Sequence, residues 1–139
     1  MKLSFTTYRL NCIYPFGISR RTNEYYDIIY VYLSGAGIIG SGEAAPSARY
    51  GATKGQIIQQ LNSIVEVPDT SITVEDGDIW CSDHSGGISA LLAALSTAWL
   101  DWWTQKDEMC LADYFKSDKK NMPLTSFTIA IGYLNLIPQ

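Results

Sequence analysis

Two runs of strand-forming residues that meet at a glycine-bracketed turn constrain this chain more than any other feature. Residues 25–34, YYDIIYVYLS, are aromatic and β-branched almost throughout, residues 38–44 resume as IIGSGEA, and Gly35-Ala36-Gly37 lies between them. Such side chains suit the pleated, half-buried surface of a sheet, and glycine reaches the positive φ of a tight hairpin turn. An antiparallel hairpin is therefore predicted, with little side chain to pack at Gly40 and Gly42. Residues 2–10 alternate as well, with Leu3, Phe5, Thr7 and Arg9 on one side, which adds a third strand and makes a three-stranded antiparallel meander. Between the first two strands, residues 11–24 hold Pro15, Gly17, Ser19, two arginines and Asn23. That chemistry reads as a long loop, of a length that accompanies function or disorder.

The second half of the chain changes period. Thr53 can cap a helix running to about Val65, with Ile57, Ile58, Leu61, Ile64 and Val65 on one face. Residues 68–85 are mixed, carry the acidic group Glu75, Asp76 and Asp78, and are read as a short helix or irregular segment. Residues 87–106 give the strongest helical pattern, and Leu91, Leu92, Leu95, Trp99, Trp102 and Trp103 cover more than one stripe of it. A helix apolar over so much of its girth needs partners on two sides. Residues 111–115 follow as one further turn or two, residues 116–122 as a charged connector, and residues 124–131 as a short apolar strand. The fold class is α+β.

Charge and composition remove several classes of function. Ten Lys and Arg face fourteen Asp and Glu, a net charge of −4, and the basic residues are scattered apart from Arg20-Arg21 and Lys119-Lys120. A chain without a basic patch lacks the electrostatic footprint for nucleic acid or an anionic membrane surface, so neither is expected as a partner. The N-terminal stretch MKLSFTTYRL has no unbroken apolar segment. No apolar run reaches the roughly 18 residues that a membrane span needs. Cys12, Cys81 and Cys110 are widely spaced, with no CxxC pair and with His84 as the single histidine, so neither a zinc site nor a disulfide framework is in view. Free thiols fit a reducing compartment, and the expected location is the cytoplasm.

Three stretches in order carry a resemblance: PFGISRRT at 15–22, GSGEAAP at 40–46 with the polar loop that continues to Lys54, and ALLAALSTAWLDWW at 90–103. Together they resemble the N-terminal capping domain of the enolase superfamily, in the muconate cycloisomerase and dipeptide epimerase branch of its mandelate racemase/muconate lactonizing group. The resemblance implies a meander followed by a helical bundle over residues 1–121. It further implies that residues 122–139, with TSFTIAIG at 125–132, begin a (β/α)8 barrel. A barrel needs roughly 200–250 residues, so the chain is expected to be a cap separated from its barrel, or a freestanding relative of one. Enzymes of this superfamily abstract a proton α to a carboxylate and stabilise the enediolate with Mg2+. Their base and metal ligands lie on later barrel strands, so the implied parent is a magnesium-dependent epimerase of Ala-Glu-like dipeptides whose cap alone is inactive. The alternatives are the cap of a muconate cycloisomerase or an o-succinylbenzoate synthase, and a freestanding non-enzymatic binding domain. A bare barrel-facing surface would also favour a homo-oligomer.

The same resemblance assigns candidate site residues. Phe16 is followed after five residues by Arg21, the spacing at which dipeptide epimerases carry an arginine that pairs with the substrate's distal carboxylate. Guanidinium suits this because its planar fork binds a carboxylate bidentately; the bland reading is a solvated loop charge, with Phe16 as an anchor on the core. Tyr50 stands with Arg49 at the tip of a second loop, residues 46–53, where its ring either contacts substrate or packs the loop down. Many relatives carry an acid where this chain has Ala52. Thr128 matches a threonine that contacts dipeptides, although threonine is common in strands for propensity alone. Glu43 and Asp101 read as structural, with Ser96 in place of an acid common one turn before Asp101, and His84 reads as solvated.

Overall fold

The computed structural model describes residues 1–18, 21–118 and 124. The side chains of residues 14–18, 21 and 48 lie outside that description, as do the barrel-strand reading of residues 124–131 and Thr128. Three antiparallel strands, β1 (Lys2–Ile18), β2 (Arg21–Gly35) and β3 (Ile38–Ala44), form one sheet in the order β1-β2-β3. Four helices follow: α1 (Lys54–Ser63), α2 (Val74–His84), α3 (Ser89–Lys106) and α4 (Leu111–Tyr114). The α+β meander-then-helices order read from the sequence is the one observed.

Residues 11–24, expected as a loop, are part of the sheet. They are not a loop between short strands: β1 and β2 continue through them, with Phe16, Gly17 and Ile18 paired to Asn23, Thr22 and Arg21. The ladder breaks only between the Asn11 and Phe16 rungs, where residues 12–15 stand opposite Glu24. Pro15 falls in that irregular stretch, where the missing N–H interrupts no regular ladder bond. Beyond it the two strands pair again, since a two-stranded ladder satisfies backbone groups that a loop would leave to water.

At the other end of β2 the connection to β3 is as tight as predicted. Ala36 and Gly37 take φ of 52° and 78°, the pair of positive values that marks a type I′ turn. Alanine is a poor occupant of that region. Ala36→Asn, which creates an Asn-Gly turn, is expected to stabilise the chain by about 0.5–1 kcal/mol. An unchanged or lower midpoint in urea denaturation would contradict the turn assignment.

The helices begin and end for local reasons. Thr53 Oγ1 accepts the Gln56 N–H at 3.2 Å while the Gln56 side chain accepts the Thr53 N–H at 3.0 Å, a reciprocal cap that starts α1. The helix stops at Ser63, short of the expected Val65: Ile64 is extended and Val65 is 87% exposed, so Val65 is not part of the buried face. Two successive β-branched residues there give the helix little incentive to continue. Within residues 68–85, residues 74–84 form the helix α2, capped by Thr73, whose hydroxyl accepts the Asp76 N–H at 3.1 Å. Glu75 and Asp76 sit in its first turn, where negative charge meets the positive end of the helix dipole.

Helix α3 is the centre of the core. Leu91, Ala94, Leu95, Ala98, Trp99 and Trp102 are buried, and α3 packs on β3 and β2 on one side and on α2 on another. Its two-sided apolar surface therefore finds both partners within the chain. The close contact with β3 depends on Gly40 and Gly42, where an added Cβ would meet the backbone carbonyls of Ala98 and Ala94. Polar ties complete the seam. Asp101 Oδ2 accepts the Ser41 N–H at 2.8 Å, Gln105 Nε2 donates to the Ile39 carbonyl at 3.1 Å, and Trp102 Nε1 donates to the Gly35 carbonyl at 3.0 Å.

Candidate functional site

The sheet is longer than the helical layer that covers it. Strand β3 pairs with β2 only from Ile29 to Gly35, so residues 21–28 form a two-stranded ribbon with β1 alone. Alternation along β2 places Asp27 on the same face as the buried Ile29, Val31 and Leu33, just past the point where the core ends. Its cross-strand partner is Arg9, which continues the Leu3, Phe5, Thr7 face of β1.

The second wall comes from the segment after β3. Residues 45–47 leave the sheet, Ala48–Tyr50 make one 3-10 turn, and Gly51 takes a φ of 69° that suits glycine. Ser47 anchors this loop: its carbonyl accepts the N–H groups of Tyr50 at 3.0 Å and Ala52 at 3.2 Å. Thr53 and Lys54 then open α1. Between ribbon and loop lies an open cavity of about 400 Å3, bounded by Asn23, Tyr25, Tyr26 and Asp27 on one side and by Ala45, Pro46, Ser47 and Lys54 on the other.

One carboxylate organises the charges there. Arg9 Nε and Nη2 donate to Asp27 Oδ1 and Oδ2, both at 3.0 Å, and Lys54 Nζ lies 3.8 Å from Oδ1. The bidentate arginine bond holds the Asp27 carboxyl below the usual range and raises Arg9 in turn. The guanidinium of Arg9 also lies 3.9 Å from the Tyr25 ring centroid. On the opposite face Tyr8 and Tyr30 meet edge to face at 5.5 Å, and a hydrogen bond to Glu43 raises the Tyr30 hydroxyl. Glu43 is therefore tied to β2, in keeping with the structural reading.

The residues singled out from sequence fall into three groups. Phe16 and Arg21 sit on the distal rungs of the hairpin, paired with Asn23 and Ile18; their side chains, and Thr128 altogether, lie outside the described residues. Tyr50 is 70% exposed, so its ring does not hold the loop to the core, and the Arg49 guanidinium lies 5.8 Å from it. Ala52, at the position where the resemblance implies an acid in many relatives, is buried. His84 is not a solvated histidine: it stacks on Trp80 at 4.9 Å, and its Nδ1 lies 2.8 Å from the Trp80 carbonyl. Burial pushes the Cys81 thiol up to about 12, which leaves it unreactive. Sequence reasoning missed Arg9, Asp27 and Lys54 as a cluster. Strand register alone brings the first two together, and the loop fold brings in the third.

Among the described residues, no group of three or more His, Cys, Asp or Glu side chains is placed to hold a metal ion. No described helix is long and apolar enough to cross a membrane.

No protein-family model matches the chain. In sequence it is 26% identical over 137 residues to the L-Ala-D/L-amino acid epimerase of Flavobacterium johnsoniae, an alignment covering 97% of this chain and 41% of that protein. In structure it matches a substrate-liganded complex of the L-Ala-D/L-Glu epimerase from Bacillus subtilis, with a TM-score of 0.69 at 19% identity over 77% of this chain and 31% of the other. It also matches the dipeptide epimerase from Methylococcus capsulatus complexed with Mg and the dipeptide L-Arg-D-Lys, with a TM-score of 0.64 at 22% identity over 76% and 31% of the two chains. Mandelate racemase/muconate lactonizing proteins share the fold as well. The matched part of the epimerases is their N-terminal portion, so the chain has the fold of that portion and spans well under half the length of the relatives it matches.

Proposed function

We propose that this chain is the substrate-specificity cap of a dipeptide epimerase. The observation that carries the reading is the pair of walls at one end of the sheet, a β1–β2 ribbon and the loop of residues 45–53, on a fold shared with epimerases solved with dipeptide ligands. In this reading residues 1–121 are the cap, and residues 122–139 begin the domain that carries the chemistry. That chemistry is removal and return of the proton next to a carboxyl group, and the cap's part is to bind the rest of the dipeptide and exclude water.

Arg21, on the rung closest to the hairpin's distal end, takes the substrate's distal carboxylate, with Phe16 and Tyr50 as apolar walls and Thr128 meeting the dipeptide backbone. The described residues do not suit a divalent metal, so no step of this reading runs through one. Magnesium, present in the Methylococcus capsulatus complex, is assigned to the remainder of the whole enzyme. In the same reading, the surface that would face the barrel is where the chain self-associates.

The test uses the whole gene product, incubated with L-Ala-L-Glu and a panel of neutral and basic L-Ala dipeptides in D2O. Exchange of the second residue's α-proton and formation of the epimer, followed by NMR, are the expected results. Arg21→Met should raise KM for the acidic dipeptide by about 10- to 100-fold, the worth of charge-assisted hydrogen bonds to one carboxylate. It should change KM for neutral dipeptides far less. No exchange with any dipeptide, together with turnover of a muconate or of an o-succinylbenzoate precursor, would replace this reading by its alternative.

A further inference from the structure

We propose that Arg9, Asp27 and Lys54 form a clasp that fixes the spacing between the two walls of the cleft, and that Asp27 is the positioning residue at its centre. The proposal rests on the reading of those walls as the specificity loops. Three elements meet at this carboxylate. Arg9 comes from β1, Asp27 from β2, and Lys54 is the first residue of α1, directly after the loop that carries Arg49, Tyr50 and Ala52.

The position matters more than the strength of the pairs. Past Ile29 the ribbon has no third strand, and a two-stranded ribbon is marginal by itself. Its angle to the neighbouring loop is set by whatever bridges them near the base. Asp27 is the first residue on the core face beyond Ile29, the last residue of β2 paired to β3. Asp27 and Lys54 both line the cavity, from opposite walls. A contact there acts at the hinge: a small change at the base becomes a larger displacement at Arg21, several residues further along the strand. The bidentate arginine leaves the carboxylate one orientation, so its oxygen stays directed at Lys54. Surface ion pairs contribute little to overall stability. The clasp is therefore expected to tune geometry without deciding whether the domain folds.

Hydrogen exchange on the full 139-residue chain tests this without reference to any activity. The probes are the amides of Asn23 and Tyr25 on the ribbon and those of Tyr50 and Ala52 in the loop. Asp27→Asn should speed exchange at both sets together, by about two- to fivefold, the range that a surface ion pair can supply. Lys54→Met should do the same. The double variant should equal Asp27→Asn alone, because one device is being removed twice. The denaturation midpoint should remain that of the parent, and Asp27→Glu should recover part of the protection. Faster exchange in the ribbon alone, or additive effects in the double variant, would overturn the clasp.

The whole gene product supplies the second arm. Asp27→Asn should raise KM for the dipeptide with kcat nearly unchanged, because binding geometry and not proton transfer is disturbed. Coupled exchange without dipeptide turnover by the parent would uphold the clasp and refute the epimerase reading. Dipeptide turnover with uncoupled exchange would do the reverse.

Discussion

Gly42→Val is expected to destabilise the domain by about 3 kcal/mol or more, although valine is the better strand former. The reason is the seam between β3 and α3. A Cβ at Gly42 would meet the Ala94 carbonyl oxygen, with the Ala94 carbonyl carbon and the Ala98 nitrogen both at 2.9 Å. All of these are backbone atoms of a helix, so the obstacle cannot rotate away as a side chain would. The helix must lift as a unit, and with it the polar ties from Asp101 to Ser41 and from Trp102 to Gly35. Ser41→Val, one residue away on the exposed face, is the control, since surface changes stay within about 0.5 kcal/mol. Urea denaturation of both variants checks the claim. A Gly42→Val midpoint equal to that of Ser41→Val would mean that the seam is looser than the geometry indicates.

That seam also shows how far the sequence could be read. Among the described residues, period-2 and period-3.6 patterns locate the hairpin strands and helices α1 and α3, because burial of one face imposes those periods regardless of partner. Gly40 and Gly42 were visible as positions with little to pack. What they pack against was not, because close approach is a property of two elements and the sequence displays one at a time. Residues 11–24 read as a loop for a related reason. Pro15, Gly17 and Asn23 are loop formers locally, yet ladder pairing across β1 and β2 overrides local propensity on both sides of one irregular rung. Helix α2 has no sharp outline in the sequence because Gly77 and the acidic first turn dilute its pattern. The residue that weakens the pattern is the one that lets Trp99 pack.

The candidate site was legible only where it depends on spacing along the chain. Phe16 and Arg21 could be picked out because their separation is linear, and Tyr50 because it stands in an obviously polar loop. The Arg9–Asp27–Lys54 cluster depends on strand register and on the path of residues 45–53, neither of which is written in any short segment. Its members look like ordinary surface charges until the register pairs them. Ala52 illustrates the converse: it lies in a loop that reads as polar, and its burial explains why a small apolar residue is accepted there.

Trp99→Ala is expected to cost about 3–5 kcal/mol, a large share of the 5–15 kcal/mol that holds a domain of this size together. Trp99 is fully buried, its ring is stacked on Trp102 at 5.5 Å, and its Nε1 donates to the Val74 carbonyl at 3.0 Å, so α2 and α3 are joined through one side chain. The sharper form of the claim involves Gly77. A Cβ on that residue would occupy the Trp99 ring, so Gly77→Ala should destabilise, although alanine gains about 1 kcal/mol over glycine in an open helix. Trp99→Leu removes the ring and opens a void above residue 77. In that background Gly77→Ala should turn neutral or stabilising, since the new methyl enters the void and the helix recovers its propensity. The four proteins of the cycle, compared by urea denaturation, separate the two explanations of the glycine. Equal penalties for Gly77→Ala in both backgrounds would show that backbone freedom, and not the indole, requires glycine in the middle of α2.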